Sequence, residues 1–350
     1  MTPKPTLAVV GATGAVGAVM LQILSQHADV WGEIRLAASP RSAGRKLAVR
    51  GEECEVLDLG EGVFDGVDVA IFLAPAEVSE RWAPVAVAKG AVVVDASPAF
   101  RMDAEVPLVV PEVNSHAVRV RPRGIVASPH DTTLALLPAV GALHGEFGLQ
   151  ELVVSSYQAV SGAGREAVAS LRAQLSMVAG TELGVGPGDV RRAVGDDLGP
   201  FPAPLALNVV PWAGTVADGG WSSEELGLRA ETRKILGLPA LKVTATCVRV
   251  PVLTTHSLSV HARFEKEITV ERAHEVLATS PGVVLYDNPE AGDFPTPADV
   301  VGTDPTWVGR VRRSPDDVCG LELFVCGDNL RKGAALNSAQ IAECVAAEYV

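Results

Sequence analysis

The stretch Val9-Val10-Gly11-Ala12-Thr13-Gly14-Ala15-Val16-Gly17 closes a short apolar run, residues 7–10, and opens a helical run over 18–26. Only glycine lets a backbone approach a pyrophosphate this closely, and the helix starting here adds unpaired N–H groups and the positive end of its dipole. Gly11, Thr13, Gly14, Ala15 and Val16 are therefore read as a dinucleotide-binding turn. An ordinary tight strand-to-helix connection has a similar composition; what favours the cofactor is the turn's place at the head of an alternating pattern. Residues 33–37, 67–73, 91–95 and 124–127 form further short Val/Ala/Ile/Leu runs separated by helical stretches, as buried parallel strands do. The expected fold is α/β, with an N-terminal Rossmann dinucleotide-binding domain.

About twenty residues beyond the turn, an NAD site would carry an acid for the ribose hydroxyls. Here the chain reads LAASPRSAGRK, with Ser39, Arg41 and Ser42. An acid repels a ribose 2′-phosphate, whereas an arginine flanked by hydroxyls binds it through charge-assisted hydrogen bonds, so NADP is the expected cofactor. The alternative is a solvated basic loop.

From residue 151 the texture changes to longer strands in which apolar and polar residues alternate: 152–158, 241–250 and 257–264. These indicate an α+β second domain with a largely antiparallel sheet. Residues 184–211 are rich in Gly and Pro, but Leu205 to Val210 ends them on an apolar run, so they are read as an ordered crossing loop. Residues 332–349 have helical spacing after a glycine and are expected to complete the first domain. The division drawn is 1–130 plus 327–350 for the NADP-binding domain, and 131–326 for the substrate-binding and dimerisation domain.

Composition narrows the partners. With 29 Lys and Arg against 42 Asp and Glu, the net charge is -13, which disfavours nucleic acid and anionic membranes. The five cysteines form no C-x-x-C pair, so neither a metal site nor a disulfide framework is expected. No signal peptide and no run long enough to span a bilayer is read from the sequence, and a cytoplasmic protein is expected.

GATGAVG, RSAG, SPAFRMD with VPLVVPEVN, SSYQAVSGAG, ETRKIL, TCVRVPV followed by His-Ser, PTPADVVG, VGRVRR and DNLRKGAALNSAQIAE occur in this order. In these motifs, over nearly its whole length, the chain resembles the aspartate-semialdehyde dehydrogenases. The resemblance implies reduction of β-aspartyl phosphate with NADPH through a cysteine thioester, in a homodimer or higher homo-oligomer. It implies that Gln158 orients an acyl intermediate, Arg249 pairs with the substrate α-carboxylate, and His256 is general acid/base. It further implies that Arg101 and Lys234 hold phosphate, that Glu231 contacts the substrate amine, and that Asn329 contacts the cofactor.

Where that family carries Asn-Pro-Asn-Cys-Thr-Thr, this chain reads Ser128-Pro129-His130-Asp131-Thr132-Thr133. A carboxylate is a poor nucleophile beside a thiolate, and its attack on an acyl phosphate gives a mixed anhydride instead of a thioester. A second departure is Leu73-Ala74-Pro75, where the family has a Gly-containing turn; proline removes a backbone donor. Three readings follow. One is an NADP-dependent oxidoreductase transferring hydride directly to or from a small carboxylated, amino-acid-like substrate, with Asp131, His256 and Gln158 as the catalytic set. The second is a silent paralogue that binds cofactor or regulates an active relative. The third keeps the ordinary family reaction at low efficiency, with Asp131 or Cys247 acting covalently.

Overall fold

The computed structural model describes residues 4–27 and 30–349. The chain divides into two compact units, the first Met1–Leu137 with Ala230–Pro239 and Arg331–Val350, the second Pro138–Arg229 with Ala240–Leu330. The division drawn from the sequence differs in three places. Residues 131–137 remain with the first unit, 230–239 return to it, carrying Glu231 and Lys234, and 327–330, with Asn329, stay with the second.

The first unit holds a seven-stranded sheet in the order β3-β4-β2-β1-β5-β6-β7. Its strands are β1 (Leu7–Val10), β2 (Ile34–Ala38), β3 (Lys46–Val49), β4 (Glu52–Asp58), β5 (Val69–Phe72), β6 (Val92–Asp95) and β7 (Ile125–Ala127). All pairings are parallel except the β3–β4 hairpin at the edge. β1 and β5 are buried at every residue, which explains their unbroken apolar runs. Because β1 pairs with β2 on one side and β5 on the other, the strand order reverses there, and the crevice beyond its carboxyl end is where open α/β sheets take ligands.

The C-terminal segment joins this unit as expected, but not as one regular helix. A π-helical turn, Arg331–Ala335, precedes helix Leu336–Ala346. The turn brings the Lys332 ammonium inward to Glu112 (2.6 Å), Asn337 (2.9 Å) and Gln340 (2.8 Å). Burial pushes this lysine below its ordinary pKa while the Glu112 carboxylate opposes the shift. Ile341, Ala342, Val345 and Ala346 lie in the same core as Leu7, Val9, Met20 and Ile71.

The second unit holds a six-stranded sheet in the order β11-β12-β13-β10-β8-β9. Its strands are β8 (Leu149–Gln158), β9 (Lys242–Arg249), β10 (His256–Phe264), β11 (Val283–Leu285), β12 (Thr306–Arg313) and β13 (Gly320–Gly327). The central pairings are antiparallel, as expected, while both edge pairs, β8–β9 and β11–β12, are parallel. The stretch 184–211 is ordered: Phe201, Leu205 and Val210 pack with Val160 and Leu171. The Gln174 amide oxygen accepts the N–H groups of Leu205 and Ala206.

Candidate active site

In the first unit the glycine turn has the geometry a pyrophosphate requires. Gly11 sits at φ +86°, and a Cβ there would lie 2.2 Å from the Leu73 carbonyl oxygen; one on Gly17 would lie 2.4 Å from the Gly11 oxygen. The turn is thus packed too closely for any larger residue at either position. Helix Ala15–Gln26 has Gly14 as its N-cap and no side-chain cap, so its first N–H groups are left for a ligand. At the end of β2, a single 3₁₀ turn, Pro40–Ser42, presents Ser39, Arg41 and Ser42. Ser39 and Arg41 are exposed, and none of the three side chains has a hydrogen bond or ion pair among the described residues. These residues fit a bound dinucleotide. Pro75, the unusual proline, caps helix Ala76–Ala88.

Asp131 follows β7 at the same carboxyl edge of the parallel sheet and begins helix Asp131–Phe147. Its Oδ1 accepts the Thr132 N–H at 2.8 Å, and the positive helix end favours a carboxylate at this position. His130 Nδ1 lies 2.8 Å from the same oxygen. Glu231 stands beneath them: its Oε2 accepts the His130 N–H (2.9 Å) and the Thr133 hydroxyl (2.6 Å), and its Oε1 accepts Arg101 (3.3 Å). Arg101 also donates to the carbonyls of Ser128 (3.1 Å) and Ala96 (2.8 Å), which ties the loops after β6 and β7 together. Two of its five N–H groups have no partner among the described residues and remain for an anion.

Lys234 behaves differently from the expectation. Its ammonium donates to the carbonyls of Arg101 (2.7 Å), Asp103 (2.7 Å) and Val106 (2.8 Å). All three N–H groups are engaged, so in this arrangement it fixes the backbone under Arg101 and has no donor for phosphate. Burial pushes its pKa below the ordinary lysine range.

In the second unit, sheet register explains why three distant residues meet. Gln158 ends β8, Arg249 ends β9 as its register partner, and His256 begins β10, which runs antiparallel to β8. All three are buried. The Ala159 N–H donates to His256 Nδ1 at 3.1 Å, which makes Nδ1 an acceptor and leaves Nε2 as the proton-bearing nitrogen. Asn329, expected at the cofactor, uses its oxygen on the Thr255 N–H (2.9 Å) and the Ser161 hydroxyl (3.0 Å), so it anchors the backbone before His256. Thr255 holds φ +86°, a strained value for a β-branched residue, and its buried hydroxyl has no partner among the described residues.

Glu224 was missed in the sequence. It accepts Gln158 Nε2 at 2.7 Å and Arg249 Nη2 at 3.2 Å. A signal was present: Ser222 and Glu225 form a reciprocal capping box at the start of helix Ser223–Leu236, with the Ser222 N–H on Glu225 and the Glu225 N–H on the Ser222 hydroxyl. That box fixes the first helical turn, and Glu224 with it. Among the described residues no group of His, Cys, Asp and Glu is placed to hold a metal ion, and no helix is long and apolar enough to cross a membrane.

A parallel sheet with a glycine phosphate turn, followed by a mixed-sheet unit presenting Gln, Arg and His side chains, defines a two-domain dinucleotide-binding protein of the oxidoreductase type. Residues 6–120 match the family model described as semialdehyde dehydrogenase, NAD binding domain, and residues 140–332 match that of the semialdehyde dehydrogenase dimerisation domain. The aspartate-semialdehyde dehydrogenase of Corynebacterium melassecola is 48% identical over 345 residues, covering 97% of this chain and 98% of that protein. That of Streptomyces akiyoshiensis is 46% identical over 349 residues, with 97% and 98% covered. Aspartate semialdehyde dehydrogenase II of Vibrio cholerae, complexed with ASA, superposes with a TM-score of 0.90 at 35% identity over 99% of each chain. The chain belongs to the aspartate-semialdehyde dehydrogenase family.

Proposed function

We propose that this protein is an NADP-dependent oxidoreductase acting on a small carboxylated, amino-acid-like molecule, and that its reaction proceeds without a cysteine thioester. The observation that carries this reading is the carboxylate of Asp131 at the start of a helix, in contact with His130 Nδ1 at 2.8 Å. In the family this is the nucleophile's position, and here it holds an acid–base pair. Cys247 offers no substitute: burial pushes its thiol up to about 12.

Bound at the glycine turn, with Ser39, Arg41 and Ser42 around its 2′-phosphate, NADP supplies the hydride acceptor or donor. The chain's own groups do the rest. Arg249 orients the substrate through its carboxylate, Gln158 and His256 Nε2 donate hydrogen bonds to a polarised oxygen or nitrogen, and the Asp131/His130 pair gives or takes one proton. Support for a homodimer comes from the match to a dimerisation domain and from Val153 and Tyr157, exposed on one face of the second sheet. The acidic composition fits a cytoplasmic setting.

The test is nicotinamide absorbance with a panel of small carboxylated aldehydes, ketones and amino acids. Turnover that does not depend on phosphate is the expected result. No turnover at saturating concentrations, together with co-purification with an active dehydrogenase, would replace this reading with that of a silent regulatory subunit. The cofactor assignment has its own check. Arg41→Ala should weaken NADPH binding about 10- to 100-fold in a fluorescence titration while leaving NADH almost unaffected, because only the 2′-phosphate loses a charge-assisted partner.

A further inference from the structure

We propose that Asn329 is a positioning residue: its amide latches a strained Thr255 and thereby holds His256 in the place the reaction requires. This rests on the reading of His256 as a hydrogen-bond donor to the reacting group, and adds what keeps that ring where it is.

The connection from β9 to β10 carries the strain. The two strands are not neighbours, since β8 lies between them, so residues 250–255 cross the end of β8. The crossing is fixed at its start. The Val250 N–H donates to the Gln158 carbonyl (3.1 Å), and the N–H groups of Val160 and Ser161 donate to the carbonyls of Val252 (2.9 Å) and Leu253 (3.0 Å). The chain must then turn into β10, and Thr255 takes the turn. Its φ of +86° lies where L side chains rarely go, and β-branched ones least of all. The same residue is fully buried, with a hydroxyl that has no partner among the described residues. Both features raise the energy of this conformation. A return of residue 255 to negative φ would relieve the first and release the hydroxyl from its present position.

Asn329 opposes that return. His256 pairs with Gly327 in the antiparallel β10–β13 ladder, so the chain leaving β13 runs back past Thr255. Asn329 Oδ1 accepts the Thr255 N–H at 2.9 Å, and its Nδ2 donates to the Ser161 hydroxyl at 2.8 Å. The latch is itself anchored, because the neighbouring Asp328 accepts the N–H groups of Gly302 (2.7 Å) and Leu330 (2.9 Å). Asn329 and Ser161 are buried, which strengthens these bonds by keeping water from them. Opening the latch lets residue 255 relax, and His256 moves with it, off the Ala159 N–H that fixes its Nδ1 at 3.1 Å. Glycine at this position would lack the tendency to leave, for it takes positive φ without strain.

The test is a double-mutant cycle on the full chain: wild type, Thr255→Gly, Asn329→Ala and the double variant. Turnover is read from nicotinamide absorbance with L-aspartate semialdehyde and the panel above, Tm by calorimetry, NADPH affinity by fluorescence, and the His256 ring by NMR of histidine-labelled protein. Asn329→Ala should lower kcat about 10- to 100-fold when Thr255 is present, and by at most about threefold in the Thr255→Gly background. Tm should show the opposite order. There Asn329→Ala should cost about 3 °C or more extra in the Thr255→Gly background, because the wild-type chain recovers strain when the latch opens and the glycine variant has none to recover. The His256 ring signals should move in Asn329→Ala and stay near wild type in the double variant. A side chain that merely supports the fold would lower kcat and Tm equally in both backgrounds, and that result overturns the proposal. So does a loss of NADPH affinity of about tenfold in both backgrounds, which would make Asn329 a cofactor ligand. If wild type turns over no member of the panel, the reading of the reaction falls, and the Tm and ring-signal comparisons uphold or overturn the latch by themselves.

Discussion

Asp131→Cys is expected to raise phosphate-dependent oxidation of L-aspartate semialdehyde by at least about 100-fold over wild type, because an activated sulfur nucleophile is typically worth several powers of ten. The local field favours the exchange. The same helix N-terminus and Thr132 N–H that hold the carboxylate would stabilise a thiolate and lower its pKa. Restoration should nevertheless be partial, since His130 Nδ1 stands 2.8 Å from the present carboxylate oxygen and would engage the new sulfur as well. Cys247→Ser, made in parallel, should change nothing, as its thiol is pushed up to about 12 by burial. The readout is NADPH formation with and without phosphate. No gain in Asp131→Cys would place the reaction centre elsewhere, and full restoration would make His130 irrelevant to it.

Gly11→Ala carries the second large effect. A left-handed conformation costs a non-glycine residue about 1–2 kcal/mol, and the Leu73 carbonyl at 2.2 Å from the new Cβ forces β1 and β5 to shift besides. A total loss of about 3 kcal/mol or more in the first unit is expected, together with at least a 100-fold loss of dinucleotide affinity. Denaturant unfolding and a fluorescence titration of NADPH measure the two separately. A variant that is destabilised yet binds normally would remove this turn from the cofactor site.

Strands were legible either as alternating runs, as in β8, β9 and β10, or as unbroken apolar runs where burial is nearly complete. β1, β5, β6 and β7 announced themselves as apolar runs because water reaches neither side of them. β3 and β4 gave no such signal: they form an edge hairpin in which Lys46, Glu52, Glu53 and Glu55 face solvent, and the stretch reads as a charged loop. β12 was hidden for another reason, a register shift between Gly309 and Arg312 with Arg310 at φ 54°, which breaks the period of two. β13 carries a run from Leu321 to Cys326 behind a turn signal, Ser314-Pro315-Asp316-Asp317, and was readable from the sequence although it was not read as a strand. The π-helical turn was invisible because helical spacing over 332–349 is the same whether or not Lys332 points inward.

For the candidate site the sequence offers residue types and motifs, and the structure adds their hydrogen bonds. Asp131, Gln158, Arg249 and His256 stand out by motif, but the hydrogen bonds around them do not. Lys234 turns from anion ligand to backbone anchor, and Asn329 holds the strand that delivers His256. Glu224 belongs to none of the recognised motifs, so nothing short of a fold could set it against Arg249.

The position of residues 331–350 bears on how the molecule matures. The first unit needs Ile341, Val345 and the Lys332 cage to close its core, yet these follow the whole of the second unit in the chain. Everything required by the second unit has been synthesised before they appear. The dinucleotide-binding half therefore begins before the second unit and closes after it, with an apolar flank uncovered until residues 331–346 have been synthesised.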